Sequence, residues 1–326
     1  MAAGDVLFYR AGAVGDTLLS LFALRALRRR FPTARLLMGG YPERVLCLQD
    51  AGEVDAALNA GGEPLRHLHH RRRDEEGGEA LLSLLRGLAA AVFFGADREG
   101  TIREWVEGAG LAKAVLASHL PDPEDGVHVA DYMVRALRPL GIGPEVDPSP
   151  LRPSPASRRE AENLLRKLGH GAERPLLALH PGSGSARKVF PPPLLAPAAR
   201  WAEEELGARL LLITGPADES PRGDFLRSWR GKPPIEARGL SLPVLASLLL
   251  RARAYVGNDS GPTHLAALAG TPTVALFGPS SRPKLWRPRG RRAAVLAWEE
   301  AAGGGLGDAL RTFWEETSGS ASSDGA

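Results

Sequence analysis

The first candidate for chemistry is an aspartate in a glycine loop near the start of the chain. The segment Gly12–Thr17 follows the apolar run Val6–Tyr9 and places Asp16 directly after Gly15. Two roles suit a carboxylate in this position. As a helix N-cap it would accept hydrogen bonds from N–H groups of the first turn, and beside a cleft it could act as a general base. The two roles are compatible, so Asp16 is the candidate base.

A second candidate is a lysine in a loop of small residues. Residues 180–191 have the sequence HPGSGSARKVFP and directly follow the apolar run Leu176–Leu179. Glycine and serine allow phosphate oxygens to approach the backbone closely, and Lys188 would supply a point charge. Lysine is rare in this chain, because only five of the 41 basic residues are lysines. A solvated turn is the alternative interpretation of the loop, and we interpret His180 by itself as structural.

The strongest sign of an anion site is the sequence NDSGPTH at residues 258–264. It follows a predicted strand and opens a predicted helix with Pro262 near the first turn, so free N–H groups would face the carboxyl edge of a sheet. Asp259 would repel phosphate, and we therefore expect it to bind sugar or ribose hydroxyls or to brace the loop. The alternative is a plain helix that Asp259 or Ser260 caps.

Two other polar segments have weaker implications. The turn Gly215–Glu219 ends another predicted strand at the same edge, where a carboxylate could accept hydrogen bonds from a ribose. A plain surface turn is the alternative. Residues 67–73, HLHHRRR, could form a metal or anion patch, but acidic residues follow at once and alternating charge blocks are typical of solvated loops. We therefore predict no metal site.

Other features of the sequence exclude several classes of protein. The first glycine loop lacks the full G-x-G-x-x-G pattern and no acidic residue ends the second predicted strand, which disfavours a nicotinamide dehydrogenase. The chain contains no G-x-x-x-x-G-K-[ST] sequence, so a P-loop NTPase has no support. A formal net charge of +3 is too small to indicate nucleic acid as a partner. A single cysteine, Cys47, allows no internal disulfide and suits a reducing compartment.

The elements that would position these residues alternate between strands and helices. This alternation predicts an α/β protein with mostly parallel sheets. Predicted strands of the second half cover Leu176–Leu179, Arg209–Thr214, Ala254–Gly257 and Thr273–Phe277. Five prolines within residues 143–155 indicate a linker. We predict an N-terminal domain over residues 1–150, a C-terminal domain over 151–316 and a disordered tail over 317–326, whose residues are too small to anchor it.

The sequence predicts a cytoplasmic protein that could contact the inner face of a membrane. Residues 1–16 do not form a signal peptide, because they combine acidic residues with only a short apolar run. No apolar stretch approaches the roughly 20 residues of a membrane span. Two arginine clusters, at residues 25–30 and 71–73, could dock on an anionic lipid surface.

Four of these motifs occur in one chain in a consistent order. They are Gly15-Asp16, Lys188-x-Phe190-Pro191, the Gly215–Glu219 turn and Asp259-Ser260-Gly261-Pro262-Thr263-His264. In this combination the chain resembles glycosyltransferase family 9, the bacterial ADP-heptose:lipopolysaccharide heptosyltransferases, from about residue 5 to about residue 290. Phe190 is a departure, because tryptophan is common there in the family.

The resemblance implies a GT-B architecture, in which two Rossmann-like, doubly wound domains face each other across a cleft. It places the acceptor on the N-terminal domain, beside Gly12 and Gly15, and the nucleotide sugar in the C-terminal domain. It also implies that the segment from about Leu306 packs back on the N-terminal domain. By matching position, the residues implied to contact the donor are Ser183, Lys188, Glu219, Leu240, Asp259, Ser260, Gly261 and His264.

The resemblance also implies roles for individual groups. Asp16 would deprotonate the acceptor hydroxyl, while Lys188 and the N–H groups at Ser260 and Gly261 would hold the departing diphosphate. No metal or other cofactor would be required, because these groups can neutralise the leaving group.

The resulting hypothesis is an inverting glycosyltransferase. It would move a heptose or similar sugar from a nucleotide diphosphate, ADP by resemblance, to the lipopolysaccharide core or another glycan or lipid-linked acceptor. Two alternatives stay open: a nucleotide-sugar epimerase of GT-B type, which needs no second sugar, and a non-catalytic nucleotide-sugar-binding subunit. The presence of both Asp16 and Lys188 argues against the non-catalytic subunit.

Overall fold

The computed structural model describes residues 4–70, 76–171 and 174–320 of the chain. The chain divides into two compact units, Met1–Asp147 and Pro148–Ala326. This division falls three residues before the predicted boundary at residue 150 and within the proline-rich segment 143–155. Proline lacks a backbone N–H and restricts the residue before it to extended conformations, so regular structure does not continue through this segment.

The first unit is built on a sheet of five parallel strands. The strands are β1 (Asp5–Tyr9), β2 (Leu36–Gly40), β3 (Ala56–Asn59), β4 (Leu88–Phe94) and β5 (Ala114–Ala117). Their order in the sheet is β3-β2-β1-β4-β5, and Val6 of β1 lies opposite Leu36 of β2. The helices are α1 (Val14–Leu19), α2 (Leu21–Arg30), α3 (Pro42–Asp50), α4 (Glu76–Arg86), α5 (Thr101–Gly108) and α6 (Val129–Ala136).

The strands of this sheet are apolar along nearly their whole length, as expected for a parallel sheet that is covered on both faces. The sequence of β1 is DVLFY, and its last four residues are buried. Six of the seven residues of β4, LAAAVFF, are buried too. Leu7, Phe93 and Trp105 belong to the apolar cluster on one face. This burial fixes the register of the sheet and therefore the positions of the loops at its carboxyl edge.

The predicted cationic face at residues 25–30 is largely neutralised within the first unit. Arg25 is buried, and its Nε donates to both carboxylate oxygens of Glu53, at 3.0 and 3.1 Å. Nη2 of Arg28 lies 2.6 Å from Oδ2 of Asp55. These acidic partners lie more than 20 residues away in the sequence. Two of the four arginines of this face are therefore paired within the unit, and docking of the face on a lipid surface stays a prediction.

The other predicted arginine cluster, residues 71–73, lies outside the described residues. Among the helices of the described ranges, none has the length and apolar character needed to cross a membrane.

The second unit contains a sheet of six parallel strands. The strands are β6 (Leu176–His180), β7 (Arg209–Thr214), β8 (Ile235–Arg238), β9 (Ala252–Asn258), β10 (Thr273–Phe277) and β11 (Ala293–Ala297), in the order β11-β10-β9-β6-β7-β8. The longer helices are α7 (Pro155–Lys167), α8 (Leu195–Glu205), α9 (Glu219–Ser228), α10 (Leu242–Leu249) and α11 (Gly261–Ala269). Shorter helices α12 (Pro283–Trp286) and α13 (Trp298–Glu300) precede the last helix, α14 (Leu306–Ser320).

Both sheets have the strand order of a doubly wound Rossmann fold, which confirms the predicted class. The order reverses between β1 and β4 in the first unit and between β6 and β9 in the second. At such a switch point the chain leaves neighbouring strands toward opposite faces of the sheet, which opens a crevice outside their carboxyl ends. The candidate loops after β1, β6 and β9 all lie at these points.

The last helix contributes to the core of the second unit. Leu306, Leu310, Phe313 and Trp314 are buried in the same apolar cluster as residues of the sheet. The structure thus uses this apolar stripe in the second unit, and packing of the helix on the N-terminal domain stays a prediction. The predicted disordered tail is corrected for residues 317–320, because α14 continues to Ser320. Each added residue of an existing helix gains one hydrogen bond, so a short polar extension follows readily. Residues 321–326 lie outside the described residues.

We expect the substitution Glu53→Gln to destabilise the first unit. The free energy of unfolding should fall by roughly 2 kcal/mol, because the buried guanidinium of Arg25 keeps its charge and loses the nearer of its two counterions, with Asp147 left at 3.8 Å. Urea unfolding monitored by circular dichroism measures the change. The matched control is Glu43→Gln, whose carboxylate is exposed and 3.6 Å from Arg44; its effect should stay within about 0.5 kcal/mol. Equal effects of the two substitutions would contradict this account.

Candidate functional site

The candidate site of the second unit lies at the carboxyl ends of β6 and β9. Three loops meet at this switch point: residues 181–189 after β6, residues 215–218 after β7, and Asp259 with Ser260 between β9 and α11. They meet because parallel strands all end at the same edge of the sheet. Hydrogen bonds between buried side chains and backbone groups join the loops to one another.

Asn258, the last residue of β9, fixes the loop of small residues after β6. Its side chain is fully buried. Nδ2 donates to the carbonyl oxygens of Pro181 and Gly182, at 2.9 and 3.1 Å, and Oδ1 accepts from the N–H of Phe190 at 2.9 Å. A single amide therefore anchors both ends of the loop and satisfies backbone groups that would otherwise be buried without partners.

Lys188 and Asp259 form an ion pair across two of these loops. Nζ of Lys188 lies 2.8 Å from Oδ2 of Asp259, which also accepts from Ser281 Oγ at 3.0 Å. Ser183 Oγ donates to the carbonyl oxygen of Asp259 at 2.9 Å. Asp259 thus braces the loop, which is one of its two expected roles. About a third of the Lys188 side chain remains exposed, so its ammonium group can also face a ligand.

A buried chain of polar side chains lies behind the ion pair. His180 Nε2 is 2.9 Å from Asp218 Oδ2, and His180 Nδ1 is 3.3 Å from Ser260 Oγ. Asp218 also accepts from the N–H of Gly215 at 2.6 Å. Burial acts to raise the pKa of Asp218, but its contacts with His180 and Gly215 together hold that pKa below its usual value. Asp218 is therefore a carboxylate that accepts hydrogen bonds.

The other residues that the resemblance implies in donor binding lie around the same edge. Glu219 begins α9 and is exposed, with Oε2 2.9 Å from Arg238 Nη2. Leu240 is half-buried between β8 and α10. Gly261 and His264 lie in the first turn of α11, where His264 is buried. Of the two acids in the Gly215–Glu219 turn, only Glu219 faces solvent, so it is the one that could accept a ribose hydroxyl.

In the first unit, Asp16 is held by a buried arginine. Nη2 of Arg10 lies 2.7 Å from Asp16 Oδ1, and Arg10 Nη1 donates to the carbonyl oxygen of His119 at 2.9 Å. Asp16 Oδ2 accepts from the N–H of Ala13 at 3.1 Å. Because α1 begins at Val14, Asp16 belongs to the first helical turn and is not the N-cap residue. Its carboxylate is oriented through both oxygens.

The glycine loop before Asp16 leaves little room for side chains. A Cβ atom at Gly12 would lie 2.6 Å from the Cβ of Asp16, so only glycine fits without a shift. The carbonyl oxygen of Gly12 accepts from Arg44 Nη1 at 2.6 Å. Gly15 is the second residue of α1. The loop therefore brings its backbone directly against the candidate base.

A cavity of about 430 Å³ opens at the same edge of the first sheet, beyond β4 and β5. Its lining includes the charged or polar residues Asp97, Arg98, Arg103, Ser118 and His119. The carboxylate of Asp97 accepts from the N–H groups of Ile102 and Arg103, at 2.9 and 3.2 Å. Asp97 therefore binds backbone groups of the protein, and the cavity lining also contains two arginines.

Several residues of these sites were not identified from the sequence. Asn258 lies within the 258–264 motif, yet its partners are backbone atoms more than 65 residues away. Arg10 directly follows an apolar strand, and a buried charge at that point is the signal that could have indicated it. His180 was interpreted as structural, and its link to both Asp218 and Ser260 became visible only in three dimensions.

The described part of the chain contains no group of three or more His, Cys, Asp or Glu side chains arranged to hold a metal ion. His67 is buried, and its Nε2 lies 3.0 Å from Glu63 Oε2. The independence of the reaction from metal stays a prediction.

The strand orders of the two doubly wound domains define an α/β protein of GT-B type. The chain belongs to glycosyltransferase family 9: residues 86–303 match the family model described as Glycosyltransferase family 9 (heptosyltransferase). The family predicted from the four sequence motifs is thereby confirmed.

The individual proteins that the chain resembles share less than a third of its residues over the matched regions. Lipopolysaccharide heptosyltransferase 3 of Escherichia coli is 28% identical over 172 residues, which are 51% of this chain and 48% of that protein. The matched region therefore spans about half the length of this curated relative. Two solved structures, each 18% identical, are similar over nearly the whole chain. The glycosyl transferase family 9 protein of Veillonella parvula DSM 2008 has a TM-score of 0.75 and covers 97% of this chain and 98% of its own. The E. coli ADP-heptose lps heptosyltransferase II has a TM-score of 0.76 and covers 96% and 99%.

We expect Asn258→Asp to loosen the loop of small residues at the second switch point. The new carboxylate could still accept from Phe190 N–H, but it would face two carbonyl oxygens without a proton to donate. The free energy of unfolding should fall by roughly 3 kcal/mol at pH 7, and limited proteolysis should cut within residues 181–190 sooner. Asn163→Asp on the exposed face of α7 is the control. Unchanged stability and unchanged cleavage of Asn258→Asp would show that this amide does not anchor the loop.

Proposed function

We propose that the protein is an inverting glycosyltransferase that moves a heptose or a similar sugar from an ADP-linked donor. The acceptor would be the lipopolysaccharide core or another glycan or lipid-linked sugar. Family membership supports the reaction class, and the names of two similar proteins, a lipopolysaccharide heptosyltransferase and an ADP-heptose heptosyltransferase, support the donor and the acceptor.

The proposal rests on one observation, which is that Lys188, Asp259 and the start of α11 lie together at the edge of the second sheet. Lys188 is held at the edge of the second sheet by its ion pair with Asp259. Ser260 and Gly261 start a nine-residue helix at the same edge, where N–H groups and the helix dipole favour an anion. A diphosphate bound there would share the Lys188 ammonium with Asp259, and Ser281 would continue to bind the Asp259 carboxylate.

The chemistry would be a displacement at the anomeric carbon. Asp16 accepts the proton of the acceptor hydroxyl, the acceptor oxygen forms the new bond, and the bond from the anomeric carbon to the diphosphate oxygen breaks. Attack from the face opposite the leaving group inverts the configuration. Charge develops on the departing diphosphate, and groups already aimed at that position lower the barrier most. Lys188 and the first N–H groups of α11 are such groups.

The geometry of Asp16 supports its role as the base. Arg10 and the N–H of Ala13 each hold one carboxylate oxygen, so the carboxylate has a fixed direction and a lone pair left on each oxygen. Arg10 is fixed in turn by the carbonyl of His119. A base that is oriented before the substrate binds needs no rearrangement during proton transfer.

The cavity beyond β4 and β5 is our candidate for part of the acceptor site. It lies at the same edge of the first sheet as the Asp16 loop, and Arg98, Arg103 and His119 line it. Guanidinium groups bind phosphates and carboxylates through paired hydrogen bonds. This part of the proposal therefore favours an acceptor that carries anionic groups.

A cytoplasmic location with contact to the inner membrane surface belongs to the same proposal. A lipid-linked acceptor would require such contact. The pairing of Arg25 and Arg28 with acidic residues makes residues 25–30 a weak docking surface. We therefore expect the membrane contact to depend on the acceptor itself.

We expect Asp16→Asn and Lys188→Ala to separate proton transfer from donor binding. Asp16→Asn should lower transfer of heptose to a lipopolysaccharide-core acceptor by about 10²-fold or more, and leave the Kd for ADP unchanged. Lys188→Ala should weaken ADP binding by about tenfold or more, because it removes the cation from the diphosphate. Calorimetry measures the Kd, and product formation measures transfer.

Two controls make this test specific. Lys167→Ala and Asp308→Asn change exposed residues of α7 and α14 and should alter neither the Kd for ADP nor the rate of transfer. Full transfer by a folded Asp16→Asn variant would reject the role of Asp16 as the base.

A thermal-shift comparison of ADP, UDP, GDP and CDP with the unaltered protein tests which nucleobase the donor site prefers, since a ligand at 100 times its Kd stabilises the protein by about 2.7 kcal/mol. Stabilisation by UDP alone would show that the donor is a UDP-linked sugar and not an ADP-linked one.

A further inference from the structure

The serine at the start of α11 does not cap its helix. Ser260 has the extended backbone of an N-cap residue, with φ −155° and ψ 165°, yet its side chain makes no capping hydrogen bond. In the same unit, Ser154 occupies the same position before α7 and accepts from the N–H of Ser157 at 3.2 Å. A serine N-cap normally binds the first-turn N–H groups, which are also the groups that an anion would use. Ser241, before α10, makes no side-chain capping bond either, so what sets Ser260 apart is the partner that its hydroxyl has elsewhere.

The group that holds it is His180. Its Nδ1 lies 3.3 Å from Ser260 Oγ, and a second contact of 3.2 Å joins Ser260 Oγ to Thr263 Oγ1. The Thr263 hydroxyl donates to the carbonyl oxygen of Asn258, so Thr263 Oγ1 and His180 Nδ1 are both acceptors for the single proton of Ser260, and the imidazole nitrogen is the stronger acceptor. His180, Ser260 and Thr263 are all at least nine-tenths buried. The Ser260 hydroxyl thus has partners on the protein side of the helix end.

Asp218 fixes the direction of the His180 ring. As a carboxylate it can only accept, so the His180 nitrogen that faces it at 2.9 Å, Nε2, carries a proton. In the neutral ring, Nδ1 is then a bare acceptor for the Ser260 hydroxyl. Asp218 is itself held by the N–H of Gly215, and its carboxylate fills the space that a Cβ at Gly182 would need, 1.8 Å from Oδ1.

We propose that His180 and Asp218 are positioning residues that turn the Ser260 hydroxyl away from the N-terminus of α11 and so keep its N–H groups open for the donor diphosphate. The proposal rests on the proposed function for the identity of the anion. It assigns a role to two buried residues. Without the pair, the Ser260 side chain would cap its own helix and compete with the diphosphate.

The two nitrogens of His180 can be tested separately. His180→Gln places an amide near the position of Nε2 and can keep the bond to Asp218, but it leaves Ser260 without its partner. His180→Asn places an amide oxygen near Nδ1 and can keep the bond to Ser260. We expect His180→Gln to weaken ADP binding by about tenfold, the cost of competing with a side-chain cap, and His180→Asn to stay within about threefold of the unaltered protein.

Repeating the His180→Gln substitution in a Ser260→Ala protein tests whether His180 acts through Ser260. If His180 acts through Ser260, then His180→Gln has no further effect on the Kd for ADP once the competing hydroxyl is gone. The Kd values of Ser260→Ala and of the double variant should therefore agree within about twofold. A purely structural role predicts the opposite result, in which His180→Gln weakens binding by the same factor in both backgrounds. Ser154→Ala removes a true cap in the same unit and should leave the Kd unchanged.

The experiment is calorimetric titration of the full chain with ADP, with UDP, GDP and CDP in parallel. Equal factors in the two backgrounds, or unchanged binding by His180→Gln, would overturn the positioning role while the proposed function stands. Binding of no nucleotide by the unaltered protein would overturn the proposed function, and the role proposed for His180 with it. A second readout needs no ligand: ¹⁵N spectra of the histidine rings should show His180 protonated at Nε2 with Nδ1 as an acceptor, and a proton on Nδ1 alone would contradict the proposal.

Discussion

The interaction on which the second unit depends is the set of three hydrogen bonds made by the buried amide of Asn258. At the switch point, the strands β6 and β9 are neighbours whose following segments leave toward opposite faces of the sheet. The backbone of the loop after β6 therefore has no sheet partner there. Asn258 supplies donors and an acceptor for both ends of this loop. With the loop fixed, Ser183, Lys188 and Asp259 come together, and the start of α11 lies beside them.

The first unit follows the same plan with different side chains. Its switch point lies between β1 and β4, and a buried Arg10 after β1 holds Asp16 and the carbonyl of His119. The first unit thus presents an oriented carboxylate, and the second presents a lysine and a helix N-terminus. This difference matches the two halves of a glycosyl transfer, in which one group removes a proton and the other holds a departing anion.

The sequence predicted the fold better than the contacts within the sites. The strands at Arg209–Thr214 and Thr273–Phe277 have their predicted bounds, because a buried parallel strand is a continuous apolar run that ends at polar turns. The candidate site residues were chosen by residue type at the ends of such runs and by resemblance to the family, and their roles stay predictions. Partners far apart in the sequence were not found. The arginines at residues 25–30 were predicted as a possible lipid-docking surface, and the pairing of two of them with Glu53 and Asp55 was not foreseen. No local pattern indicated that His180 contacts Ser260, 80 residues away.

The central claim is that a nucleoside diphosphate binds at the carboxyl edge of the second sheet. Hydrogen–deuterium exchange of the full chain, with and without saturating ADP, tests it most directly because it needs neither an acceptor nor a variant. The account predicts slower exchange in three separate segments, residues 181–190, 215–219 and 258–264, since they form one edge in space. Unchanged exchange in all three segments while ADP is bound would contradict it.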